Sequence, residues 1–213
     1  MFTKRLTTQI IMARKFDKRL ITVKTQNEDI KKFLNHSDAF IETQLNPAIS
    51  KSFGESISLA VAQVNGCKLC SYTHAKNALK SGMSEEEVEF LLSGGFDNAP
   101  KEQLEALLFA QHYADTEGNP DIDAVKKLND TYTQEEVKDI MSKILMMMLT
   151  NLHGNTLEAF QLRLKGKSVE YSNIWREVAV IFNFFKIMPV ILIKMLKYKM
   201  SAKKTNRLSI ANS

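Results

Sequence analysis

The segment 65–74 reads Asn-Gly-Cys-Lys-Leu-Cys-Ser-Tyr-Thr-His, and it decides which fold and which chemistry we expect of this chain. The Asn-Gly pair at its start interrupts a helical pattern. We therefore expect a helix that begins at Cys67 and runs to about Lys80. On that helix, Cys67, Cys70 and His74 stand at positions i, i+3 and i+7, which share one face.

This arrangement is typical of a reactive thiol. Backbone N–H groups are unpaired at a helix N-terminus and the helix dipole is positive there, so a thiolate at Cys67 is favoured. His74 lies one turn beyond Cys70 and can accept its proton. Two such cysteines can close a disulfide by exchange with a substrate disulfide, or after one of them is oxidised to a sulfenic acid.

Glu55 is the candidate partner of His74. It stands 12 residues before Cys67, and Glu55 and His74 are equally far from position 64.5, which falls in the turn at 64–66. If the two helices pack antiparallel, both side chains lie about 14 Å from that turn, because a helix rises about 1.5 Å per residue. The spacing therefore predicts a proton relay of Glu55, the two cysteines and His74.

Outward from this segment, the sequence predicts helices and essentially no sheet. The stretches 84–87 and 133–136 are capping boxes, each with Ser or Thr followed three residues later by Glu, and each begins a helix. Pro47 and Pro100 are expected to open two more helices at their first turns. We expect His153-Gly154 to break the apolar helix that follows the second capping box. No segment shows sustained period-two alternation.

Other interpretations of the cysteine pair stay open at this point. The pair could be buried and unreactive, or it could form a structural disulfide, although a bridge across one helical turn closes a very short loop and constrains little. It could also bind zinc with His74 and a fourth ligand from His153 or His112. Zinc sites usually draw on a second ligand pair, and the chain has only two cysteines.

Composition and charge limit the remaining function classes. The chain has 213 residues, 44% of them apolar, which suits one large domain or two small ones. Residues 1–24 carry seven Lys or Arg and one acid, residues 178–213 carry seven and no acid, and residues 25–177 carry 15 bases and 23 acids. Because the body is acidic and only the ends are basic, we expect no nucleic-acid binding.

The start of the chain bears on its compartment. The first residues lack the apolar run of a secretory signal. We therefore expect a cytoplasmic protein, in which a CxxC pair is more often catalytic, redox-active or metal-binding than a structural crosslink.

The segment 177–196 is apolar enough to suggest a transmembrane helix, but Glu177, Asn183, Lys186 and Lys194 interrupt it. Three interpretations compete for this last helix, which begins near Ser172 and should be kinked by Pro189. It packs on the domain or on a neighbouring subunit, or it lies on a membrane surface with help from the basic tail, or it spans a membrane.

The site pattern resembles a known family. Glu55, the stretch 65–70, His74, Ala78 and the stretch 82–84 are similar to the E…CxxCxxxH signature of AhpD-like alkylhydroperoxidases, in the carboxymuconolactone decarboxylase family. The later stretches 109–115 and 152–159 are similar to segments of longer members. The resemblance covers roughly residues 38–167.

The resemblance implies an all-α, multi-helix bundle with the CxxC at the N-terminus of a core helix, assembled as a homo-oligomer, often a trimer or hexamer. It implies antioxidant reduction of a hydroperoxide, with electrons from a dithiol donor such as a lipoyl domain or a thioredoxin-like protein. Cys67 and Cys70 would be the redox pair, with His74 and Glu55 as proton relay, and neither a cofactor nor a metal is expected. Cys70, which adjoins His74, would attack the peroxide, and Cys67 would resolve at the more exposed helix start.

One position departs from the family pattern. AhpD-type members have a histidine just before the second cysteine, whereas this chain has Leu69, so one member of the relay is missing. The decarboxylase branch of the family lacks the cysteine pair, and we do not expect lactone decarboxylation here.

These observations predict three parts: a basic segment with a short helix at 1–37, an AhpD-like helical domain at 38–167, and an apolar helix with a basic tail at 168–213. The favoured function is a thiol-dependent peroxidase or disulfide oxidoreductase. The alternative is a non-enzymatic module of the same fold that senses redox state or binds a partner. A metal-binding structural protein is a third hypothesis.

Overall fold

The computed structural model describes residues 18–96, 99–167 and 169–211, and within these ranges the protein is all-α with no β-strand. The predicted fold class is therefore confirmed. Residues 1–17 of the predicted N-terminal part, 1–37, lie outside the described residues. The helices are α1 (Val23–Asn35), α2 (Ser37–Leu45), α3 (Lys51–Asn65), α4 (Lys68–Lys80), α5 (Glu85–Ser93), α6 (Lys101–Asp115), α7 (Ile122–Thr131), α8 (Gln134–Leu164) and α9 (Ile174–Ala211).

Local capping sets several helix starts where the sequence predicts them. In both capping boxes, the Ser84 or Thr133 hydroxyl accepts a hydrogen bond from the third helical N–H, and the Glu87 or Glu136 carboxylate accepts one from the cap residue. Each box satisfies two backbone donors that have no partner inside the helix. Both predicted helix starts are confirmed.

The start of α3 differs from the prediction. Pro47 does not open the helix, which begins at Lys51 after Ser50, whose hydroxyl accepts a hydrogen bond from the Phe53 N–H at 3.2 Å. The Asp139 carboxylate of α8 accepts the Ala48 N–H at 2.6 Å, and it accepts the next N–H as well. These long-range bonds hold the chain in a turn before the helix, and local spacing does not reveal them.

Helix α8 is continuous over 31 residues, so the expected break at His153-Gly154 is wrong. Most of one side of this helix is buried, and α8 packs on α1, α2, α3 and α9. Tertiary packing outweighs the glycine's low helix propensity of about 1 kcal/mol.

Helix α3 lies at the centre of the core and positions the site. It packs on α4, α5, α6 and α8, and nearly every residue from Phe53 to Ala62 is buried. Gly66 then takes a left-handed conformation, with φ of 68°, and α4 runs back along α3. This antiparallel pair is the arrangement that the spacing of Glu55 and His74 requires.

The last helix, α9, is also long, with 38 residues, and it contains Pro189 without ending there. Among the described residues, one helix is long and apolar enough to cross a membrane by length and composition, namely Ile174–Tyr198 within α9. In the structure, α9 packs along α1, α2 and α8.

Candidate functional site

The turn between α3 and α4 places Cys67 at a helix N-terminus, as predicted. Gly66 ends α3, and the Cys67 N–H donates to the Ala62 carbonyl at 3.1 Å, which closes the helix end. Cys67 is the N-cap of α4, and its sulfur accepts a hydrogen bond from the Cys70 N–H at 3.3 Å. The sulfur of Cys67 therefore takes the place that a capping oxygen usually takes.

Cys67 and Cys70 form a disulfide, with their Cα atoms 5.3 Å apart. Cys67 is only 1% exposed, whereas Cys70 is half-buried. The expectation that Cys67 occupies the more exposed position is therefore wrong. Gly154 of α8 lies against Cys67, and Lys18 lies beside the neighbouring Gly66, so a solute can approach Cys70 more readily.

Glu55 and His74 meet as the spacing predicts. His74 Nδ1 lies 2.7 Å from Glu55 Oε2, which joins the second turn of α3 to the second turn of α4. Glu55 is buried, and its side chain keeps 9% exposure against 24% for His74. A buried carboxylate needs a polar partner, and the imidazole supplies it. Because Nδ1 is bound to Glu55, Nε2 is the nitrogen of His74 that can exchange a proton with another group.

Gly154 forms the opposite wall of the disulfide, and sequence reasoning gave it no role in the site. A Cβ at this position would lie 3.0 Å from the Cys67 sulfur and 3.6 Å from the Cys70 sulfur. Only a glycine lets α8 approach the disulfide this closely. The signal was a lone glycine inside an apolar helical pattern, which often marks close packing rather than a helix end.

Polar contacts brace the turn that carries Cys67. The Asn155 side-chain amide donates to the Asn65 carbonyl at 2.7 Å and to the Arg19 carbonyl at 3.0 Å. Lys18 pairs with Glu158 on the same helix, α8. These bonds tie the turn and the segment before α1 to α8, so the first described residues belong to the surroundings of the site.

The two candidate fourth zinc ligands are engaged elsewhere. His112, near the end of α6, has its Nε2 3.0 Å from a carboxylate oxygen of Asp121, the N-cap of α7. His153 binds the Leu149 carbonyl through Nδ1 and the Gln26 side chain through Nε2, and burial lowers its pKa from the ordinary 6.5. In the described ranges, no group of three or more His, Cys, Asp or Glu side chains could hold a metal ion.

One buried polar side chain on this face of α8 has no hydrogen-bond partner. Both side-chain polar atoms of Asn151 are buried and unpaired, although Asn151 stands one turn before Gly154 and Asn155. Leaving such a group unpaired costs about 1–3 kcal/mol. This cost falls next to the disulfide, on the helix that covers it.

Comparison with known proteins agrees with the site pattern. Residues 31–112 match the carboxymuconolactone decarboxylase family. The chain is also similar to curated proteins named alkyl hydroperoxide reductase AhpD, from the Coxiella burnetii strains Dugway 5J108-111 and RSA 493 / Nine Mile phase I. Each is 40% identical over 47 residues, which is 22% of this chain and 27% of the relative. The match thus spans about a quarter of the relatives' length. No solved structure gives a significant match.

Proposed function

We propose that this chain, whose residues 31–112 match the carboxymuconolactone decarboxylase family, is a thiol-dependent peroxidase that works through Cys67 and Cys70. The observation that carries the proposal is the 2.7 Å contact between His74 and Glu55, on the two helices that the Cys67 turn joins. The pair supplies a proton-handling imidazole one helical turn from Cys70, beside a cysteine pair that can form a disulfide.

The reaction begins at Cys70, because its sulfur is the more accessible of the two. His74 takes the thiol proton, and the Cys70 thiolate attacks one oxygen of the hydroperoxide. The O–O bond breaks, the departing alkoxide takes the proton from His74 and leaves as an alcohol, and Cys70 becomes a sulfenic acid. Glu55 holds the imidazole in place and stabilises its protonated form.

The second step closes the disulfide. The Cys67 sulfur attacks the Cys70 sulfur, and hydroxide leaves with the Cys67 thiol proton as water. An external dithiol then reduces the disulfide and is itself oxidised to a disulfide, which restores both thiols. A lipoyl domain or a thioredoxin-like protein has the chemistry of such a donor. The proposal also includes a cytoplasmic location and assembly as a homo-oligomer, a trimer or hexamer. Analytical ultracentrifugation measures the number of subunits.

A redox sensor of the same fold is the alternative, and Leu69 favours it. The family histidine is missing at this position, and the leucine that replaces it is 62% exposed, so the relay has one proton carrier fewer next to Cys70. A protein that forms the disulfide without turning over peroxide would fit this arrangement.

The test is peroxide consumption by the full chain with dihydrolipoamide as the donor. Wild type is expected to consume peroxide, and Cys67→Ser and Cys70→Ser are each expected to lose turnover. Thr73→Ala, which changes an exposed side chain on the same helix, is the matched control and should keep activity.

Two readouts separate the candidates. A sulfenic acid trapped at Cys70 in Cys67→Ser supports the proposed order of attack, and trapping it only at Cys67 in Cys70→Ser contradicts that order. A wild type that forms the disulfide but never turns over peroxide contradicts the peroxidase and supports the sensor. In that case Leu69→His is expected to introduce turnover that the wild type lacks.

A further inference from the structure

Three polar side chains of α9, those of Glu177, Asn183 and Lys194, face the domain. Glu177 is fully buried and takes two hydrogen bonds from Arg163, at 3.0 and 2.9 Å. The Asn183 amide donates to the side chains of Gln26 and Asn27 on α1, at 2.9 and 2.8 Å. These contacts fasten the first half of α9 to α8 and α1.

The second half is fastened in the same way. The Lys194 ammonium donates to the Leu34 carbonyl at 2.8 Å and to the Ser37 hydroxyl at 2.6 Å, at the junction of α1 and α2. Val180 is buried in a small cluster with Ile21 and Leu152. The side of α9 that carries Glu177, Asn183 and Lys194 is thus fixed to the protein, mostly by polar groups.

The opposite side of α9, which we call the outer face, is apolar and exposed. Its members are Trp175, Phe182, Phe185, Val190, Leu192, Ile193, Leu196 and Met200, each at least half exposed. At about 100° per residue they fall within an arc of about 160°, away from Glu177, Val180 and Lys194. A contiguous apolar surface of this kind marks an interaction site.

The charge of α9 favours an anionic binding partner for the outer face over a second copy of the helix. Residues 178–213 hold seven Lys or Arg and no Asp or Glu, and Lys186 and Lys197 are exposed on the same side as the apolar residues. Two copies of this helix placed face to face would bring like charges together, whereas an anionic surface complements them. Lysines within an apolar face can extend their ammonium groups to lipid headgroups.

We propose that the outer face of α9 docks the protein on an anionic lipid surface, with the helix lying in the plane of the interface. The exposed Trp175 near the start of the helix is the residue type that anchors at such an interface. A membrane-spanning α9 would break the contacts of Asn183 and Lys194 with α1 and α2, and it would bring Lys186 and Lys194 into the hydrocarbon. Lying on the surface keeps all of these contacts.

The chain has a single tryptophan, Trp175, which reports on this face directly. The full chain is mixed with vesicles of phosphatidylcholine alone, or of phosphatidylcholine with phosphatidylglycerol, at low and at high salt. With anionic vesicles at low salt, Trp175 emission is expected to shift to shorter wavelength and the protein to sediment with the vesicles. High salt or alkaline carbonate should release it.

Variants on exposed positions test the two parts of the surface without disturbing the packed side. Phe182→Gln with Leu196→Gln should abolish the emission shift, whereas Ile122→Gln with Leu164→Gln, exposed apolar positions on α7 and α8, should not. Lys186→Glu with Lys197→Glu should weaken vesicle binding by at least about tenfold. Lys101→Glu, on α6, is the control for charge reversal.

Each contrary result overturns the proposal. Absence of binding to anionic vesicles, or equal binding to neutral ones, removes the anionic surface as the occupant. Resistance to alkaline carbonate would show a spanning helix. If Phe182→Gln with Leu196→Gln reduced the molecular mass in ultracentrifugation and left vesicle binding intact, the outer face would be an interface between copies. Because none of these readouts uses peroxide, the result is independent of the proposed redox function.

Discussion

The redox centre, formed by Cys67, Cys70, His74 and Glu55, and the helix α9 both bury polar side chains, but these side chains have different roles. At the centre, Glu55 meets His74, and Asn155 holds the turn before Cys67, so the buried polar groups orient reactive side chains. In α9, Glu177, Asn183 and Lys194 bind the domain and leave apolar side chains outside. The first arrangement prepares chemistry inside the protein, and the second presents a surface to something outside it.

His153 and Gln26 lie where the two regions meet. The His153 ring packs on Phe184 of α9, with 4.4 Å between ring centroids, and the next residue of α8 is Gly154, beside the disulfide. Gln26 binds both His153 and the Val180 carbonyl of α9. The two regions can therefore be tested by changing three places separately: the centre, the junction formed by His153 and Gln26, and the helix α8 that covers the disulfide.

The largest effect is expected from His74→Gln, which removes the proton carrier of the centre and leaves α9 unchanged. General acid–base groups contribute about 10²–10⁴-fold to rate, so kcat/KM for peroxide should fall by at least about 100-fold. His112→Gln is the matched control, because His112 is also a partly exposed imidazole beside a carboxylate, on α6. Equal losses in both variants would mean that the effect is on folding and not on proton transfer.

Gln26→Met tests the junction from the side of α9. Gln26 is fully buried, it donates to the Val180 carbonyl at 2.9 Å, and it accepts from Asn183. Loss of these buried hydrogen bonds should cost about 2 kcal/mol in the free energy of unfolding, measured with urea. Gln44→Met, an exposed position on α2, should change it by less than about 0.5 kcal/mol.

If the centre and α9 function independently, Gln26→Met should also leave peroxide turnover per folded molecule within about twofold of wild type. A loss of turnover as large as that of His74→Gln would show that α9 and the centre work as one unit.

Gly154→Ala tests the wall that α8 forms against the disulfide. The new Cβ would lie 3.0 Å from the Cys67 sulfur, so the oxidised protein should lose about 1–2 kcal/mol in urea unfolding, despite the better helix propensity of alanine. Gly54→Ala on α3 is the control, because its Cβ would meet only the flexible end of Lys143, at 3.1 Å. A greater loss at Gly54 than at Gly154 would contradict the assigned close approach.

Local patterns predicted the parts of this protein that local physics determines. The capping boxes at Ser84 and Thr133, the helix beginning at Cys67 and the meeting of Glu55 with His74 all follow from spacing along one helix or across one turn. Contacts between distant segments account for the errors. The Asp139 carboxylate holds the chain before Lys51 in a turn, and the disulfide explains why a glycine lies inside α8.

The burial of Cys67 could not be read from its place at a helix start. It depends on α8 and on the segment before α1, which lie far from Cys67 in the sequence. The inward direction of Glu177, Asn183 and Lys194 could not be predicted for the same reason. The sequence shows apolar and polar positions in one helix, but only the packing of α9 on α1, α2 and α8 tells which of them face outwards.

Acid should weaken the junction at His153. Burial lowers the pKa of His153 below its ordinary 6.5, only partly opposed by the bond to the Leu149 carbonyl. The unfolded chain therefore takes up this proton first as pH falls. The contribution of neutral His153 to the free energy of unfolding is fully present above about pH 6.5, and it is lost as the pH falls through the lowered pKa. Urea unfolding at pH 7.5 and 5.5 should show a decline in wild type that is smaller in His153→Gln. An unchanged pH dependence in His153→Gln would assign the decline to other groups.

Asn151→Leu should give the smallest effect, and one of opposite sign. Both side-chain polar atoms of Asn151 are buried without a partner, so an apolar side chain of similar size should raise the free energy of unfolding by up to about 1 kcal/mol. The same variant also tests whether Asn151 has a role in the redox reaction. Asn151 stands one turn before Gly154, on the face of α8 that covers the sulfurs. Greater stability with unchanged peroxide turnover would mean that Asn151 lowers the free energy of unfolding and has no redox role. Greater stability with reduced turnover would add Asn151 to the residues that act on Cys67 and Cys70.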